Sequence, residues 1–273
     1  MTRIIVHAGF HKTGTSSLQQ YLRRTRRDLA QYGAIYLKED FLDAGNAGRI
    51  YGLKPFPWRL RRFRRHLRGF LESIPDDKVI FLSWEGFCGV MPGHRRIGGR
   101  SVRDMATSGI PLARAIVKEL RRRFGPDADI TFLYTLRDRE PWINSVYGHI
   151  VRSIRLTMDF DSFRASLPNL PTLQEEATRI ARAIAPVPVE TARLEALKSK
   201  AQGPAYAALT LIGVPEDVIA TLPPARKVNA GNTADIRREC LRLNRTIKDD
   251  LELKRLKDKL TGHERTGKAR NDR

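Results

Sequence analysis

Cysteine, acidic residues and long apolar runs are all scarce in this chain. Only Cys88 and Cys240 occur among its 273 residues, far apart, which excludes a disulfide framework and a structural zinc cluster of paired cysteines. No apolar run approaches the roughly 18 residues that a membrane-spanning helix needs. The apolar run at the N-terminus is too short for a signal peptide. These features predict a protein of a reducing, cytoplasmic compartment.

The shortage of acidic residues leaves a large positive charge. Lys and Arg number 50 against 30 Asp and Glu, for a formal net charge of +20, and 37 of the basic residues are arginine. The guanidinium group binds phosphate and sulfate in bidentate fashion. The charge therefore favours an anionic partner, namely nucleic acid, an acidic membrane, a phosphorylated cofactor or an acidic glycan. A bias in genomic composition explains it equally well, so the charge alone assigns no function.

The densest basic segment is residues 59–68. Its apolar positions, which continue to Leu71, recur with the spacing of one helical stripe, and six arginines surround that stripe. The exposed side of this helix is either a solvated face or a docking surface for an anionic acceptor, and the sequence leaves both open.

Apolar strands alternate with helical segments along the chain. Pro111 suits the first position of its helix, Asn232 suits a helix cap, and glycines and prolines predict irregular structure over 43–58 and 85–110. The alternation predicts an α/β protein with a central parallel sheet, as a single domain over 1–260 with a basic, disordered tail over 261–273. The predicted strands are 3–7, 78–83, 129–136 and 187–190, and the main predicted helices are about 15–30, 59–73, 111–124, 141–155 and 233–260.

The first candidate site follows the strand at 3–7. A loop with Gly9 and Gly14 joins this strand to a helix that begins at Thr15, and the N–H groups and dipole at such a helix start attract anions. The loop also carries the ammonium group of Lys12 and several hydroxyl groups, on Thr13, Thr15, Ser16 and Ser17. The segment therefore predicts a loop that binds phosphate or sulfate.

This loop departs from the GxxxxGK[ST] loop of nucleoside triphosphatases at one position. Gly9, Gly14 and Ser16 have the right spacing, but Thr15 follows Gly14 where that loop has lysine. The lysine occurs earlier, at position 12. A magnesium-dependent site for the γ-phosphate of ATP thus lacks its positive charge in the usual place.

The second candidate site follows the strongest predicted strand, 129–136. Arg137 comes directly after it, at the sheet edge where ligands of open parallel sheets gather and where the 9–17 loop must also lie. Ser145 follows inside the next helix. A guanidinium group and a hydroxyl group placed in this way can hold one phosphate from two sides. A surface ion pair of Arg137 with a carboxylate is the simpler alternative.

Both segments resemble motifs of one enzyme family. Residues 12–19, KTGTSSLQ, resemble the 5′-phosphosulfate loop of sulfotransferases that use 3′-phosphoadenosine 5′-phosphosulfate (PAPS), above all their carbohydrate-type and bacterial members. Arg137, Ser145 and Tyr147 match that family's 3′-phosphate motif, LRxPxxRxxSxY. Arg139 replaces its proline and Trp142 its second arginine. The resemblance implies a three-layer α/β/α fold like that of P-loop nucleoside triphosphatases, PAPS as co-substrate and no metal.

The resemblance also implies a reaction, in which a sulfuryl group passes from PAPS to a hydroxyl or amine and 3′,5′-ADP is released. The candidate catalytic residues are Lys12, Glu85 and His11. Lys12 neutralises charge on the leaving group. Glu85, after the strand at 78–83, matches the position of a glutamate base, with an ion pair to an arginine as its alternative. The candidate cofactor-binding residues are Lys12, Thr13, Gly14, Thr15, Ser16 and Ser17 for the 5′-phosphosulfate, and Arg137 and Ser145 for the 3′-phosphate.

Four residues are candidates because of their position or their chemistry. His11 competes with Glu85 as the base because it adjoins Lys12 and its imidazole titrates near neutral pH. His149, one turn after Ser145, is a weaker contender. In similar proteins a basic segment near the C-terminus closes over the cofactor, which points to Arg226 or Lys227 here.

Two other functions stay open at this point. A P-loop kinase or nucleoside triphosphatase predicts ATP binding that depends on Mg²⁺. A basic protein that binds nucleic acid or a membrane surface, with a vestigial loop, predicts steeply salt-dependent binding without cofactor preference. The acceptor, whether an anionic glycan, a lipid-linked sugar or a small metabolite, and the oligomeric state are not readable from the sequence.

Overall fold

The computed structural model describes residues 2–226 and 233–262. Five strands form one sheet in the order β2-β3-β1-β4-β5, and each neighbouring pair is parallel. The predicted α/β class with a parallel sheet is therefore confirmed, with β1 at the centre. The strands are β1 (Arg3–His7), β2 (Ala34–Leu37), β3 (Val79–Ser83), β4 (Asp129–Leu136) and β5 (Val189–Arg193).

Helices flank this sheet, and 3-10 turns at Lys38–Phe41 and Glu85–Cys88 supplement them. Among the residues described, no helix combines the length and apolar character that crossing a membrane requires. The helices are α1 (Thr15–Thr25), α2 (Leu42–Leu53), α3 (Pro57–Ser73), α4 (Ala106–Phe124), α5 (Arg139–Ser153), α6 (Phe160–Ala165), α7 (Leu173–Ile184), α8 (Leu194–Leu197), α9 (Ala205–Ile212), α10 (Glu216–Thr221), α11 (Ala234–Thr246) and α12 (Asp250–Leu260).

The core lies on both faces of the sheet. On one face, Ile5, Phe81 and Leu133 pack in a cluster with apolar side chains of α1 and α9. Because successive side chains of a strand point to opposite faces, Ile4 and Val6 occupy the other face, where they are equally buried. Since both faces of β1 are covered, the strand has no polar residue between its ends.

The chain divides into two compact units. The first unit consists of the chain up to Trp142 and of a second segment that begins at Asn169. That second segment contains β5 and α7 to α10, so the first unit holds the whole sheet. The second contains Ile143–Pro168 with α11 and α12, and α5 begins in the first unit and ends in the second. The single domain over 1–260 stays a prediction.

Helix α4 begins earlier than predicted. The helix starts at Ala106, so Pro111 lies in its second turn rather than at its first position. The buried carboxylate of Glu176, on α7, accepts the backbone N–H groups of Met105 and Ala106, both at 2.8 Å. These bonds satisfy donors that a helix start leaves unpaired, and they stabilise a turn for which the local sequence has no signal.

Residues 43–58 form a helix over most of their length, whereas the glycines predicted irregular structure. Gly45, Gly48 and Gly52 lie on one face of α2, against residues 84–90. A Cβ atom at Gly45 would lie 1.8 Å from the ring of Trp84. Glycine is thus required here for close packing of a helix, and the prediction was wrong because it assumed that glycine interrupts one.

Smaller differences concern the ends of elements. Strand β5 begins two residues later than predicted, and β2 was not predicted at all. The predicted helix over 233–260 is divided into α11 and α12 because Asp249 caps a new helix, accepting the N–H of Glu252 at 2.7 Å. Thr233 caps α11 by accepting the N–H of Ile236, and Asn232 lies outside the described residues, as does the predicted tail from residue 263 onward.

The arginine-rich segment forms α3 as predicted. Phe63, Leu67 and Leu71 of its apolar stripe are buried. Part of its charge is structural, because Arg64 and Arg68 both donate to Glu119 of α4, whose side chain is only 1% exposed. The exposed arginines of this helix are Arg61, Arg62 and Arg65.

Candidate functional site

The strand order gives the sheet a switch point between β1 and β4. The chain leaves β1 toward the β2 edge of the sheet, and it leaves β4 toward the β5 edge. Open parallel sheets bind their ligands at such a switch point, outside the C-terminal ends of the strands. The 9–17 loop follows β1 and Arg137 follows β4, so both predicted anion-binding segments lie at this switch point.

The loop after β1 has an unusual backbone. Gly9, Lys12 and Gly14 all have positive φ, at 39°, 68° and 94°. Lys12 is the only residue other than glycine with this conformation in the part of the chain that the structure describes. The left-handed region costs a residue with a side chain about 1–2 kcal/mol. Strain of this kind concentrates at functional sites, where the surrounding contacts hold it.

Side chains from β4 and α5 hold the loop in this shape. The Thr13 hydroxyl lies 2.6 Å from the carbonyl oxygen of Phe10 and 2.7 Å from the hydroxyl of Thr135. The indole N–H of Trp142 donates to the carbonyl oxygen of His11 at 2.9 Å. These carbonyl oxygens of the loop are therefore bound within the protein, and the N–H groups at the start of α1 are the candidate anion-binding atoms.

The first turn of α1 carries no negative charge of its own. Gly14 is the N-cap residue and supplies no capping side chain, and the turn contains no acidic residue. Ser16 is exposed and Ser17 is half-buried. The hydroxyls of Thr13 and Thr15 are buried, and both donate to the carbonyl oxygen of Phe10. These two threonines thus face the loop's interior through their side chains.

Arg137 lies directly against this loop. Its Nη1 donates to the carbonyl oxygen of Lys12 at 3.2 Å, so the two predicted anion-binding segments meet. Burial lowers the pKa of Arg137, and the nearby carboxylate of Glu195 opposes that shift. Glu195 also accepts the N–H of Asp138 at 3.1 Å. The guanidinium group is thus bound to a loop carbonyl and feels the charge of a nearby carboxylate at the C-terminal end of the sheet.

Glu85 and His11 lie together at the same edge. Glu85 begins the 3-10 turn after β3, and His11 donates from Nε2 to the carbonyl oxygen of Gly89 at the end of that turn, 3.1 Å away. Burial lowers the pKa of His11, and the charge of Glu85 opposes this shift. A neutral His11 with its proton on Nε2 keeps Nδ1 as a proton acceptor.

Gln19 connects Glu85 to the loop helix. Its amide group donates to the carbonyl oxygen of Ser83 at 3.0 Å and to Oε2 of Glu85 at 3.4 Å. The Ser83 hydroxyl in turn lies 2.8 Å from Nδ1 of His7, at the end of β1. Burial lowers the pKa of His7 to about 3, so this imidazole is neutral. A buried polar network therefore runs beneath the loop and reaches one carboxylate oxygen of Glu85.

The sequence-based prediction missed several of these residues. Gln19, Thr135 and Glu195 were not among the predicted site residues. Thr135 and Trp142 flank Arg137 closely, so their positions were within reach of a motif argument. Gln19 and Glu195 become meaningful only once the strand order brings α1, β3 and β5 to one edge.

The other candidates belong to the second unit or lie at or beyond residue 226, where the described segment ends. Ser145 and His149 are half-buried on α5. The hydroxyl of Tyr147 donates to the carbonyl oxygen of Met158 at 3.3 Å within the second unit. Arg226 is exposed and Lys227 lies outside the described residues. Over residues 2–226 and 233–262, no group of three or more His, Cys, Asp or Glu side chains is placed to hold a metal ion.

The comparisons with known proteins add no assignment. No protein-family model matches the chain, and no match was found among curated proteins or solved structures. The geometry therefore defines an α/β protein with a candidate anion-binding site at the switch point of its sheet.

Proposed function

We propose that this chain is a PAPS-dependent sulfotransferase with a P-loop-type, three-layer α/β/α fold. One observation carries the proposal. The strained loop around Lys12 and the guanidinium group of Arg137 are in contact at the switch point, with Nη1 of Arg137 3.2 Å from the Lys12 carbonyl oxygen. Two adjoining anion-binding elements suit a nucleotide that carries a charged group on both its 3′ and 5′ oxygens.

The proposed cofactor contacts follow from these positions. The N–H groups at the start of α1 and the ammonium group of Lys12 bind the 5′-phosphosulfate, with Ser16 and Ser17 at the accessible side of the helix start. Arg137 binds the 3′-phosphate. The proposed role of Ser145 in binding the 3′-phosphate rests only on the resemblance to the 3′-phosphate motif of sulfotransferases.

The reaction proposed is an in-line transfer of the sulfuryl group. A bond forms between the acceptor oxygen and sulfur, the bond from sulfur to the phosphate oxygen breaks, and 3′,5′-ADP leaves. Lys12 stabilises the negative charge that develops on the leaving phosphate. Glu85 takes the acceptor's proton, and the Gln19 amide orients its carboxylate. Nδ1 of His11 is the alternative proton acceptor on the same edge.

The two other functions make different predictions at this site. A kinase or nucleoside triphosphatase needs a lysine where Thr15 stands, and the Thr15 hydroxyl instead bonds inside the loop. A general binder of nucleic acid needs no strained loop at the switch point. Neither alternative uses the contact between the loop and Arg137.

Calorimetric titration with 3′,5′-ADP tests the proposal. The wild-type protein is expected to bind 3′,5′-ADP in the presence of EDTA and to bind ATP with Mg²⁺ more weakly. Loss of one charge-assisted contact in Lys12→Ala or Arg137→Ala is expected to weaken binding about tenfold to a hundredfold. Arg139→Gln is the matched control, because its guanidinium group donates to the carbonyl oxygen of Leu170 instead. Equal loss in the control, or no binding of 3′,5′-ADP, would overturn the proposal.

A further inference from the structure

Residues 94–102 form a basic arm beside the candidate site. Its two sides meet in an isolated antiparallel bridge between Arg95 and Ser101, and the backbone N–H of Arg96 donates to the carbonyl oxygen of Arg100 at 2.8 Å. Gly98 and Gly99 turn the chain with positive φ, and a Cβ at either would meet no atom within 4 Å. The tip of this arm therefore projects into open space.

The arm is anchored next to the candidate base. His11 bonds to Gly89, and residues 90–93 lead from there directly into His94 at the base of the arm. The opposite side of the arm is held by α2, because the N–H of Ile97 donates to the carbonyl oxygen of Leu53 at 3.2 Å. The glycine face of α2 packs on residues 84–90 at the same time. The arm, α2 and the turn that carries Glu85 thus form one contiguous assembly.

Arg49 completes the basic surface from α2. It lies one helical turn from both Gly45 and Gly52, beside the glycine face that contacts residues 84–90. Its charge acts on both His11 and His94. On the arm, Arg96 and Arg100 lie opposite each other and share a face, and the charge of Arg96 reaches Tyr51 of α2.

These cations lack acidic partners in the described part of the chain. Residues 86–103 contain no Asp or Glu. None of the arginines of this surface forms an ion pair within residues 2–226 and 233–262, whereas Arg23, Arg64 and Arg123 on other surfaces do. The arginines without an ion pair are Arg49, Arg95, Arg96 and Arg100. Like charges gathered without counter-charge repel one another, and binding of an anion relieves that repulsion.

We infer that Arg49 and the arm 94–102 form the acceptor subsite, and that it takes an acceptor with carboxylate, sulfate or phosphate groups beside the hydroxyl that is sulfated. The inference rests on the proposed function. The position favours an acceptor over nucleic acid, because the charge of Arg49 acts on His11 and the arm continues from the turn that carries Glu85. A neutral acceptor leaves this charge uncompensated.

Binding measurements test the subsite without knowledge of the natural acceptor. The probes are a heparin-derived hexasaccharide, which carries sulfates and carboxylates, a neutral hexasaccharide of N-acetylglucosamine, and a DNA duplex. Titrations are run at about 0.15 M salt, where long-range attraction is screened, with 3′,5′-ADP present. The test variant is Arg49→Gln/Arg100→Gln. The matched control is Arg61→Gln/Arg65→Gln on α3, which removes the same charge from two exposed positions.

Of the three probes, only the charged hexasaccharide is expected to bind the wild-type protein. Its affinity is expected to fall about tenfold or more in the test variant and less than about twofold in the control. Equal losses in both variants, preference for DNA, or no binding of the charged hexasaccharide would overturn the inference. Titration of 3′,5′-ADP alone separates the two failures. If 3′,5′-ADP binds normally but the Arg49→Gln/Arg100→Gln substitution does not change hexasaccharide binding, only the subsite is refuted. If 3′,5′-ADP does not bind, the proposed function is refuted.

Discussion

The attachment of the Lys12 loop to β4 is open to a direct test at Thr13. Its hydroxyl proton is directed to the carbonyl oxygen of Phe10 at 2.6 Å, so the Thr135 hydroxyl, 2.7 Å away, must donate to Thr13. Both threonines are 0% exposed. Thr13→Val keeps the shape, removes two hydrogen bonds and leaves the O–H of Thr135 without its acceptor.

The expected loss of stability follows from the number of buried polar groups that lose a hydrogen-bond partner. A buried polar group left without its partner costs about 1–3 kcal/mol, so Thr13→Val is expected to lower the free energy of unfolding by about 2–4 kcal/mol. Thr135→Val is expected to cost less, since Thr13 keeps its bond to Phe10. In the double variant no hydroxyl is stranded, so its cost is expected to fall short of the sum of the single variants by about 1 kcal/mol.

Urea unfolding followed by circular dichroism measures these values, and Thr13→Ser serves as the control that retains the hydroxyl. The reasoning is refuted if Thr13→Val changes the free energy of unfolding by less than about 0.5 kcal/mol, or if the two single variants add without coupling.

Two further predictions concern packing and charge. Gly45→Ala places a Cβ 1.8 Å from the ring of Trp84 and is expected to lower the free energy of unfolding by about 2 kcal/mol or more. Gly69→Ala, where a Cβ meets no atom within 4 Å, is expected to raise it by about 0.5–1 kcal/mol. Thermal unfolding of both variants checks this, and equal effects would contradict it. Burial by itself raises the pKa of Glu119, but hydrogen bonds from Arg68 and Arg64 bring it below the usual value of 4.5. The carboxylate therefore stabilises the fold above that pH, and the stability difference between wild type and Glu119→Gln is expected to shrink as the pH falls below it, which urea unfolding across the acid range measures. A difference independent of pH would contradict the ion-pair account.

The sequence predicted those strands of the sheet that a local run of apolar residues marks. Strands β1, β3 and β4 are short apolar runs, and their parallel pairing followed from the helices between them. The loop around Lys12 and the position of Arg137 were equally visible, since each comes directly after the C-terminal end of a predicted strand. The contact between them needed only the assumption that they share one edge.

Elements that depend on distant contacts were not predicted. Helix α2 forms because residues 84–90 accept its glycine face, and α4 starts early because Glu176 lies at its N-terminus. The same holds at the site, where Gln19 gains its role from Ser83 and Glu85. In each case the stabilising partner is roughly 30 or more residues away in sequence, beyond the reach of periodicity and capping patterns.

A crystal structure with 3′,5′-ADP shows directly whether the Lys12 loop and Arg137 bind the two phosphates of one nucleotide. We expect the 5′-phosphate at the N-terminus of α1 beside Lys12 and the 3′-phosphate against the guanidinium group of Arg137. A nucleotide bound away from the switch point between β1 and β4, or with its 3′-phosphate remote from Arg137, would contradict the proposed function.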